Sequence, residues 1–253
     1  MRLGIDHLVI AVPDPDAAAA LLEAAIGLAV TGGGRHELAG TYNRLAFLGD
    51  TYLELIGVFD RALVAAPEAS PVGGAAMTLL DAGREGLATY ALATDDVAEE
   101  VVRLRAAGSS IGDAVPGSRR RPDGELVRWV TAFPVLGPDR PPFLIEHEPA
   151  GAEWGSAARE ARSAFRHPVG GAVRLEALTI PVPDVRAAAD RYRDELGIDL
   201  DAAGATRVGG QAIALVQADE GGAGTPVIDL GGERDAPTLD LVLFGLRWRR
   251  RAA

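Results

Sequence analysis

Three stretches of the chain share one pattern of hydrophobic and polar positions. Each begins with an apolar, alternating run, continues through an aspartate into an alanine- and leucine-rich segment, and ends at a glycine. Alternation with period two indicates a β-strand, and an aspartate and a glycine that bracket a helical segment indicate helix caps. The pattern therefore predicts three strand–helix units, with helices over 15–26, 96–107 and 185–196. Their Asp and Gly boundaries are Asp14 and Gly27, Asp95 and Gly108, and Asp184 and Gly197.

Further strand-like segments follow each predicted helix, separated by glycine-rich turns. In the first unit they span 28–37, 41–48 and 51–59. The second unit has 125–133 and 143–148, and the third has 211–217 and 238–244. Each unit is therefore predicted to be a βαβββ module, which places the chain in the α+β class.

The modules are expected to pair, because one module covers only one face of its sheet with a helix. We therefore predict mixed sheets curved into a cup, with the helices on the outer face. A paired unit over 1–150 contains module 1 (4–60) and module 2 (86–149). A third, partial module spans 172–246, and linkers span 61–85 and 150–171.

Composition excludes several kinds of chemistry. The 253 residues include no cysteine and no lysine, which removes disulfides, thiolate nucleophiles and lysine Schiff bases. The net charge of -11 argues against nucleic acid and favours a small molecule as the partner. No secretory pattern precedes the first strand and no apolar stretch is long enough for a membrane helix, so we expect a cytoplasmic protein without a membrane partner.

Acidic and imidazole side chains share the concave face of the predicted cup. Strand alternation places His7 on the first strand and Glu54 on the last strand of module 1 on the face that the helix leaves bare. Glu146 takes the corresponding place in module 2 and Asp240 in the third unit. Two carboxylates and an imidazole directed into one cavity suit a divalent cation such as zinc, nickel, iron, manganese or cobalt. Alternatively, Glu54 and Glu146 form ion pairs with arginines, which are numerous here, or lie in a solvated cleft.

Four other residues are candidates for substrate binding. Asn43 and Tyr52 are expected to point into the cup, Trp129 to form an aromatic wall, and His167 to reach the cup from a linker. Their alternative roles are those of turn or packing residues. His147 is expected on the helix side of its strand, since it follows Glu146. The run 119–121 of three arginines is either a carboxylate clamp or a solvated loop.

The chain resembles the vicinal oxygen chelate superfamily, which includes glyoxalase I, extradiol dioxygenases and the fosfomycin and bleomycin resistance proteins. It looks most like the group of glyoxalase-like domain proteins. The residues that carry the resemblance are Ile5-Asp6-His7-Leu8-Val9, Gly40-Thr41-Tyr42-Asn43-Arg44-Leu45 and Tyr52-Leu53-Glu54-Leu55-Ile56 in module 1, and Arg121-Pro122-Asp123-Gly124, Trp129 and Pro142-Phe143-Leu144-Ile145-Glu146 in module 2.

The resemblance implies a metal site held by the first and last strands of each paired module. Carried over to this chain, the ligands are His7, Glu54 and Glu146, and the fourth position falls on Ala88, which cannot bind a metal. The implied function is a metal-dependent lyase, isomerase or dioxygenase-like enzyme. The cation would stabilise an enediolate or oxyanion on a substrate with vicinal oxygens, and Glu54 or Glu146 would act as base. The alternative is a binding or sequestering protein without catalysis, and either form leaves a homodimer open.

Overall fold

Two β-sheets organise the structure. The computed structural model describes residues 2–67, 69–135, 141–219, 224–233 and 236–251. Within these ranges eight strands form a closed barrel, and six later strands form a second sheet. The α+β class and the curved mixed sheet predicted from the sequence are confirmed.

The barrel contains two modules of the predicted kind. Module 1 consists of β1 (Arg2–Ala11), α1 (Pro15–Ile26), β2 (Gly32–His36), β3 (Thr41–Leu48) and β4 (Thr51–Val58). Module 2 consists of β5 (Gly86–Thr94), α4 (Val97–Ala106), β6 (Val115–Arg120), β7 (Leu126–Ala132) and β8 (Phe143–His147). Between the modules lie α2 (Arg61–Val64) and α3 (Pro71–Asp81).

The strand order β1-β4-β3-β2-β6-β7-β8-β5 makes each module one half of the barrel. In each half the first strand lies parallel to the last, as β1 does to β4 and β5 to β8. The halves join through a long antiparallel pairing of β1 with β5. On the opposite side they join through a single pair, Arg35 with Arg120. This pairing encloses a shared inner face, as expected for a module that cannot cover both sides of its own sheet.

Helix α1 begins and ends at the predicted residues. The Asp14 side chain accepts hydrogen bonds from the backbone N–H groups of Asp16 and Ala17, which satisfies donors that a helix start leaves free. Gly27 ends the helix with φ 76°, a left-handed conformation that glycine adopts without a Cβ clash. Between these caps Leu22 and Ile26 are buried against the outer face of the barrel.

The second sheet repeats the pairing of the barrel with fewer elements. Its elements are β9 (Arg174–Val182), α7 (Val185–Leu196), β10 (Ala205–Val208), β11 (Gln211–Gln217), β12 (Val227–Gly231), β13 (Leu239–Leu243) and β14 (Leu246–Arg250). Strand β9 is parallel to β11, β12 is parallel to β14, and β9 pairs antiparallel with β12. The unit thus resembles a pair of shortened modules rather than one partial module.

The predicted equivalence of Asp240 with Glu54 is wrong. The strand that lies parallel to β9 is β11, and its register with β9 pairs Ala214 with Thr179. Because Val9 pairs with Glu54 in the barrel, Ala214 holds the place of Glu54 in the second sheet. Asp240 instead lies on β13 and forms an exposed ion pair with Arg247.

One hydrophobic core connects the barrel to the second sheet. It contains outward-facing residues of β1 and β5 together with residues of α1, α4, α7 and the second sheet. The hydroxyl groups of Tyr90 on β5 and Tyr192 on α7 are hydrogen-bonded at 3.1 Å within this core. The linker predicted over 150–171 contains α5 (Gly151–Trp154) and α6 (Ser156–Ser163). None of the helices in the described ranges combines the length and apolar character needed to cross a bilayer.

Candidate functional site

A bulge in β1 brings two neighbouring polar residues onto the inner face of the barrel. Ile5 pairs with Leu92 and His7 pairs with Ala91, so Asp6 is an extra residue with no partner on β5. In a bulge of this type, consecutive side chains no longer alternate between faces. Asp6 and His7 are both buried, with exposed fractions of 6% and 3%, and they are hydrogen-bonded to each other.

Two carboxylates and two aromatic rings lie next to the His7 ring. Its Nδ1 lies 2.7 Å from Asp6 Oδ1, and its Nε2 lies 3.6 Å from Glu54 Oε2. Tyr52 stacks on the ring with centroids 4.5 Å apart, and Phe143 contacts it edge-on at 5.5 Å. These contacts fix the direction of Nε2 toward Glu54.

Asn43 orients Glu54. The Asn43 side-chain amide donates to Glu54 Oε1 at 2.6 Å, and its carbonyl oxygen accepts from the Gly34 N–H at 3.0 Å. Both ends of the amide therefore make a hydrogen bond within the protein, and Asn43 positions Glu54. Contact of Asn43 with a substrate stays a prediction. Glu54 Oε2 remains directed at His7.

A second histidine, His147, reaches Asp6 from β8. His147 Nε2 lies 3.0 Å from Asp6 Oδ1, and the ring stacks on Trp154 of α5 at 3.7 Å. Burial opposes ionisation of Asp6, but the charges and hydrogen bonds of His147 and His7 hold its pKa well below the usual range. Because ionised Asp6 can only accept, the hydrogen in each bond resides on the imidazole, and His7 Nε2 carries a lone pair when the ring is neutral.

The expectation that His147 faces the helix side and Glu146 the cup is wrong. Glu146 Oε2 accepts a hydrogen bond from the Val97 N–H at 3.1 Å, so its carboxylate lies at the N-terminus of α4 outside the barrel. A carboxylate at this position is favoured by the free N–H groups of the helix start. The register that equates Glu146 with Glu54 is wrong, so strand alternation from that register assigns Glu146 and His147 to the wrong faces.

The strand pairing supplies the correct register. Ala11 pairs with Ile56 in module 1, and Ala93 pairs with Ile145 in module 2. Helix α4 is capped by Asp96 rather than Asp95, so the modules are offset by 82 residues at this point. The counterpart of His7 is then Thr89 instead of Ala88. Glu54 pairs with Val9, and Phe143 pairs with Ala91, the counterpart of Val9, so the counterpart of Glu54 is Phe143.

The donors in the barrel do not fit the metal site that the resemblance implies. His7 Nε2 and Glu54 Oε2 face each other, whereas Glu146, the third expected ligand, lies outside and the module 2 counterparts are a threonine and a phenylalanine. Catalytic metal sites commonly take three protein ligands. Within the described ranges no group of three His, Asp or Glu side chains has the arrangement to hold a metal ion.

The remaining predicted residues lie in different surroundings. Trp129 is partly exposed and packs against the inner face, where its ring meets His36 edge-on at 5.7 Å. His167 lies between backbone groups: its Nε2 donates to the Phe47 carbonyl at 2.9 Å and its Nδ1 accepts from the Ala29 N–H at 3.1 Å. Both ring nitrogens are therefore engaged in joining the linker to module 1.

Ion pairs between the arginine run 119–121 and α5 complete the interior. Arg119 of β6 is 3% exposed and forms an ion pair with Glu153 of α5, which Arg121 also contacts at 3.0 Å. Burial raises the pKa of Tyr52 well above its ordinary value, and the charges of Asp6 and Glu54 add to the effect. The Tyr52 hydroxyl therefore keeps its proton at neutral pH and can donate a hydrogen bond.

His36 is expected to make the protein sensitive to mild acid. Burial lowers its pKa to about 4, against the opposing charge of Glu54. The unfolded chain takes up a proton below pH 6.5 that the folded chain takes up only near pH 4, so stability is present above pH 6.5 and is lost as the pH falls. We expect His36→Gln to remove up to about 2 kcal/mol of the stability loss between pH 7.5 and 5.0. Urea unfolding of both proteins at the two pH values measures this, and an equal loss in the variant would contradict it.

The chain matches the model of the glyoxalase-like domain family over residues 5–197. A hypothetical protein from Staphylococcus aureus has a similar crystal structure, with 13% sequence identity, 99% of both chains covered and a TM-score of 0.78. Methylmalonyl-CoA epimerases from Streptomyces coelicolor and Mycobacterium tuberculosis share 23% and 19% identity with TM-scores of 0.42 and 0.41. They cover 57% and 58% of this chain, and 97% and 89% of their own chains. Among curated proteins no relative matches significantly.

Proposed function

Because the chain belongs to the glyoxalase-like domain family of the vicinal oxygen chelate superfamily, we propose that its barrel is an active site that moves a proton on a small substrate with neighbouring oxygen atoms. The observation that carries this proposal is the buried row Asp6–His7–Glu54. An imidazole oriented by one carboxylate and facing another is an arrangement suited to general acid–base catalysis.

His7 is the base in this proposal. Its Nδ1 hydrogen is bonded to ionised Asp6, which fixes the tautomer with a lone pair on Nε2 and stabilises the imidazolium that forms when Nε2 takes a proton. Nε2 would remove the hydrogen from a carbon next to a carbonyl group. The resulting enediolate carries negative charge on oxygen, and the protonated Tyr52 hydroxyl is a donor for that charge.

Glu54 serves the substrate hydroxyl in this proposal. Its Oε1 is occupied by Asn43, whereas its Oε2 lies 3.6 Å from His7 Nε2, too far for a direct hydrogen bond. Two acceptors at this separation suit a substrate carbon that carries both a hydrogen and a hydroxyl group. The hydroxyl donates its hydrogen to Glu54 Oε2, and the carbon-bound hydrogen approaches His7 Nε2. Glu54 can then carry the proton between the two oxygens of the substrate.

Hydrogen exchange in heavy water tests the proposal without knowledge of the natural substrate. Hydroxyacetone, dihydroxyacetone and hydroxypyruvate each carry a hydroxymethyl carbon beside a carbonyl, and proton NMR follows the loss of its hydrogen signal. We expect the protein to accelerate this loss over buffer for at least one compound. Glu54→Gln is expected to slow exchange by about 10- to 100-fold. Glu146→Gln is the matched control and should leave exchange unchanged, since Glu146 lies outside the barrel.

A second candidate function is the binding of a small molecule without catalysis. It is favoured by the aromatic side chains that Tyr52, Trp129, Phe133 and Phe143 contribute to the inner clusters. If none of the three compounds exchanges hydrogen faster than in buffer, the proposal of an enzyme is overturned and that of a binding protein is favoured. Metal dependence is tested on the same samples by elemental analysis: about one divalent ion per chain, lost in Glu54→Gln, would support it.

A further inference from the structure

A guanidinium group is buried in the barrel with one of its nitrogens unpaired. Arg119 lies on β6 and is 3% exposed. Its Nη2 forms the ion pair with Glu153, whereas its Nη1 is buried and has no hydrogen-bond partner among the described residues. A buried donor without a partner is costly, and a charged one more so. Such an atom in a native fold indicates that something else supplies the acceptor.

Arg119 lies close to the buried row Asp6–His7–Glu54. Its side-chain stem lies beside Gly34 of β2, which has no side chain that would displace it. The Gly34 N–H binds Asn43, and Asn43 in turn holds Glu54. The positive charge of Arg119 also acts on Tyr52, where it opposes the rise in the pKa of the hydroxyl. The guanidinium therefore belongs to the same interior as the proposed base.

A second unpaired donor lies at the same end of the barrel. Trp154 follows Glu153 on α5, and its ring stacks on His147. The Trp154 Nε1 hydrogen is buried and has no acceptor in the described part of the chain. An indole nitrogen can only donate, so this group and Arg119 Nη1 require the same kind of partner.

We propose that the ligand of the barrel carries a carboxylate that is bound by Arg119 Nη1 and Trp154 Nε1. This inference rests on the proposed function and narrows its substrate to a 2-hydroxy or 2-oxo acid, whose carboxylate adjoins the reacting oxygens. A carboxylate has two oxygen atoms that can accept from these two groups, and guanidinium groups bind carboxylates with strong charge-assisted hydrogen bonds. The contact of Glu153 with Arg119 and Arg121 shows that a carboxylate is accommodated in these surroundings.

The indole signals of the protein give a site-resolved test. The chain has three tryptophans, and each contributes one indole N–H signal to a proton–nitrogen correlation spectrum. Lactate is the probe and lactamide is its neutral counterpart. The spectrum measures binding of each compound, so the test does not depend on turnover. We expect lactate to shift the Trp154 signal, assigned from Trp154→Phe, and to bind at least tenfold more tightly than lactamide. Trp248 is the internal control, because its Nε1 already donates to the Leu243 carbonyl at 3.0 Å.

Two variants act in opposite directions. Arg119→Gln is expected to weaken lactate binding at least tenfold, whereas Arg120→Gln, on the exposed side of the same strand, should leave it unchanged. Glu153→Gln removes the internal carboxylate that competes for Arg119, so it should tighten binding several-fold. If Arg119→Gln does not fold, the result for Glu153→Gln still decides the test.

Equal binding of lactate and lactamide, or an unshifted Trp154 signal, would overturn the inference. Tighter lactate binding in Arg119→Gln or weaker binding in Glu153→Gln would do the same. The proposed function fails separately: lactate would bind as expected while none of the three exchange compounds, hydroxypyruvate included, lost hydrogen faster than in buffer.

Discussion

His7→Gln is expected to slow hydrogen exchange from the active compound by about a thousandfold. Glutamine can occupy much of the space of the imidazole and keep a hydrogen bond to Asp6, but its amide cannot take a proton at neutral pH. The variant therefore removes the base while retaining a polar side chain against Asp6 and Tyr52. The measurement is the rate of signal loss in heavy water, corrected for buffer, with folding checked by circular dichroism.

Asp6→Asn should also slow hydrogen exchange, but less than His7→Gln does. Asparagine cannot stabilise the imidazolium by charge, and its amide can donate to His7 Nδ1 and so favour the tautomer with hydrogen on Nε2. We expect exchange to slow by about 100-fold, because the base is then present mainly in the wrong form.

A matched control separates loss of the base from loss of stability. His167→Gln disturbs a buried histidine whose partners are the Phe47 carbonyl and the Ala29 N–H, so it should lower stability and leave exchange of the folded protein unchanged. Wild-type exchange in a folded His7→Gln protein would contradict the assignment of the base. In that case the imidazole would be a packing residue between Tyr52 and Phe143.

Local chemistry explains which parts of the fold could be predicted. Helix α7 occupies Val185–Leu196 as predicted, because Asp184 caps its first turn and Gly197 ends it with a φ of 56°. Strand β3 was likewise bounded correctly by Gly40 and Gly49, both with positive φ. Caps and tight turns depend on a few neighbouring residues, so the sequence contains the information to locate them.

Local sequence patterns place His7 and Glu54 but not Asp6 and His147. His7 and Glu54 could be placed on one face because alternation holds within β4 and over the relevant part of β1. Asp6 was missed because its inward direction comes from a bulge opposite β5, about 85 residues away, and no local pattern predicts a bulge. The inward direction of His147 is not predicted because the runs Leu53-Glu54-Leu55 and Ile145-Glu146-His147 look alike, whereas the strand register makes Phe143 the counterpart of Glu54.

The end of the barrel near α5 could not be predicted from periodicity. Glu153 and Trp154 lie on a helix of four residues, which is too short to show an amphipathic pattern. Arg119 is one of three consecutive arginines, and only the pairing of β6 with β7 decides which of them points inward. A charged residue in a glycine-rich segment is usually solvated, so burial of this one depends on a partner 34 residues later.

Trp248→Ala is expected to lower the free energy of unfolding by about 3–5 kcal/mol. Trp248 is fully buried on β14, where it pairs with Ile228 of β12 on one side and Leu241 of β13 on the other. Replacing it removes a large apolar surface and leaves the cavity lining without contacts. A domain is commonly stable by only 5–15 kcal/mol, so the loss is a large share of the total.

This loss should affect the barrel and the second sheet together, because both contribute to one hydrophobic core. Urea unfolding followed by circular dichroism and by the indole signals of Trp129 and Trp154 should therefore show one transition, shifted to lower urea in the variant. Val242→Ala on the neighbouring strand is the control; Val242 is 66% exposed, so the change should stay within about 0.5 kcal/mol. If the barrel signals of Trp248→Ala kept the wild-type midpoint, the second sheet would be an independent folding unit. The barrel and its proposed site would then form without the second sheet.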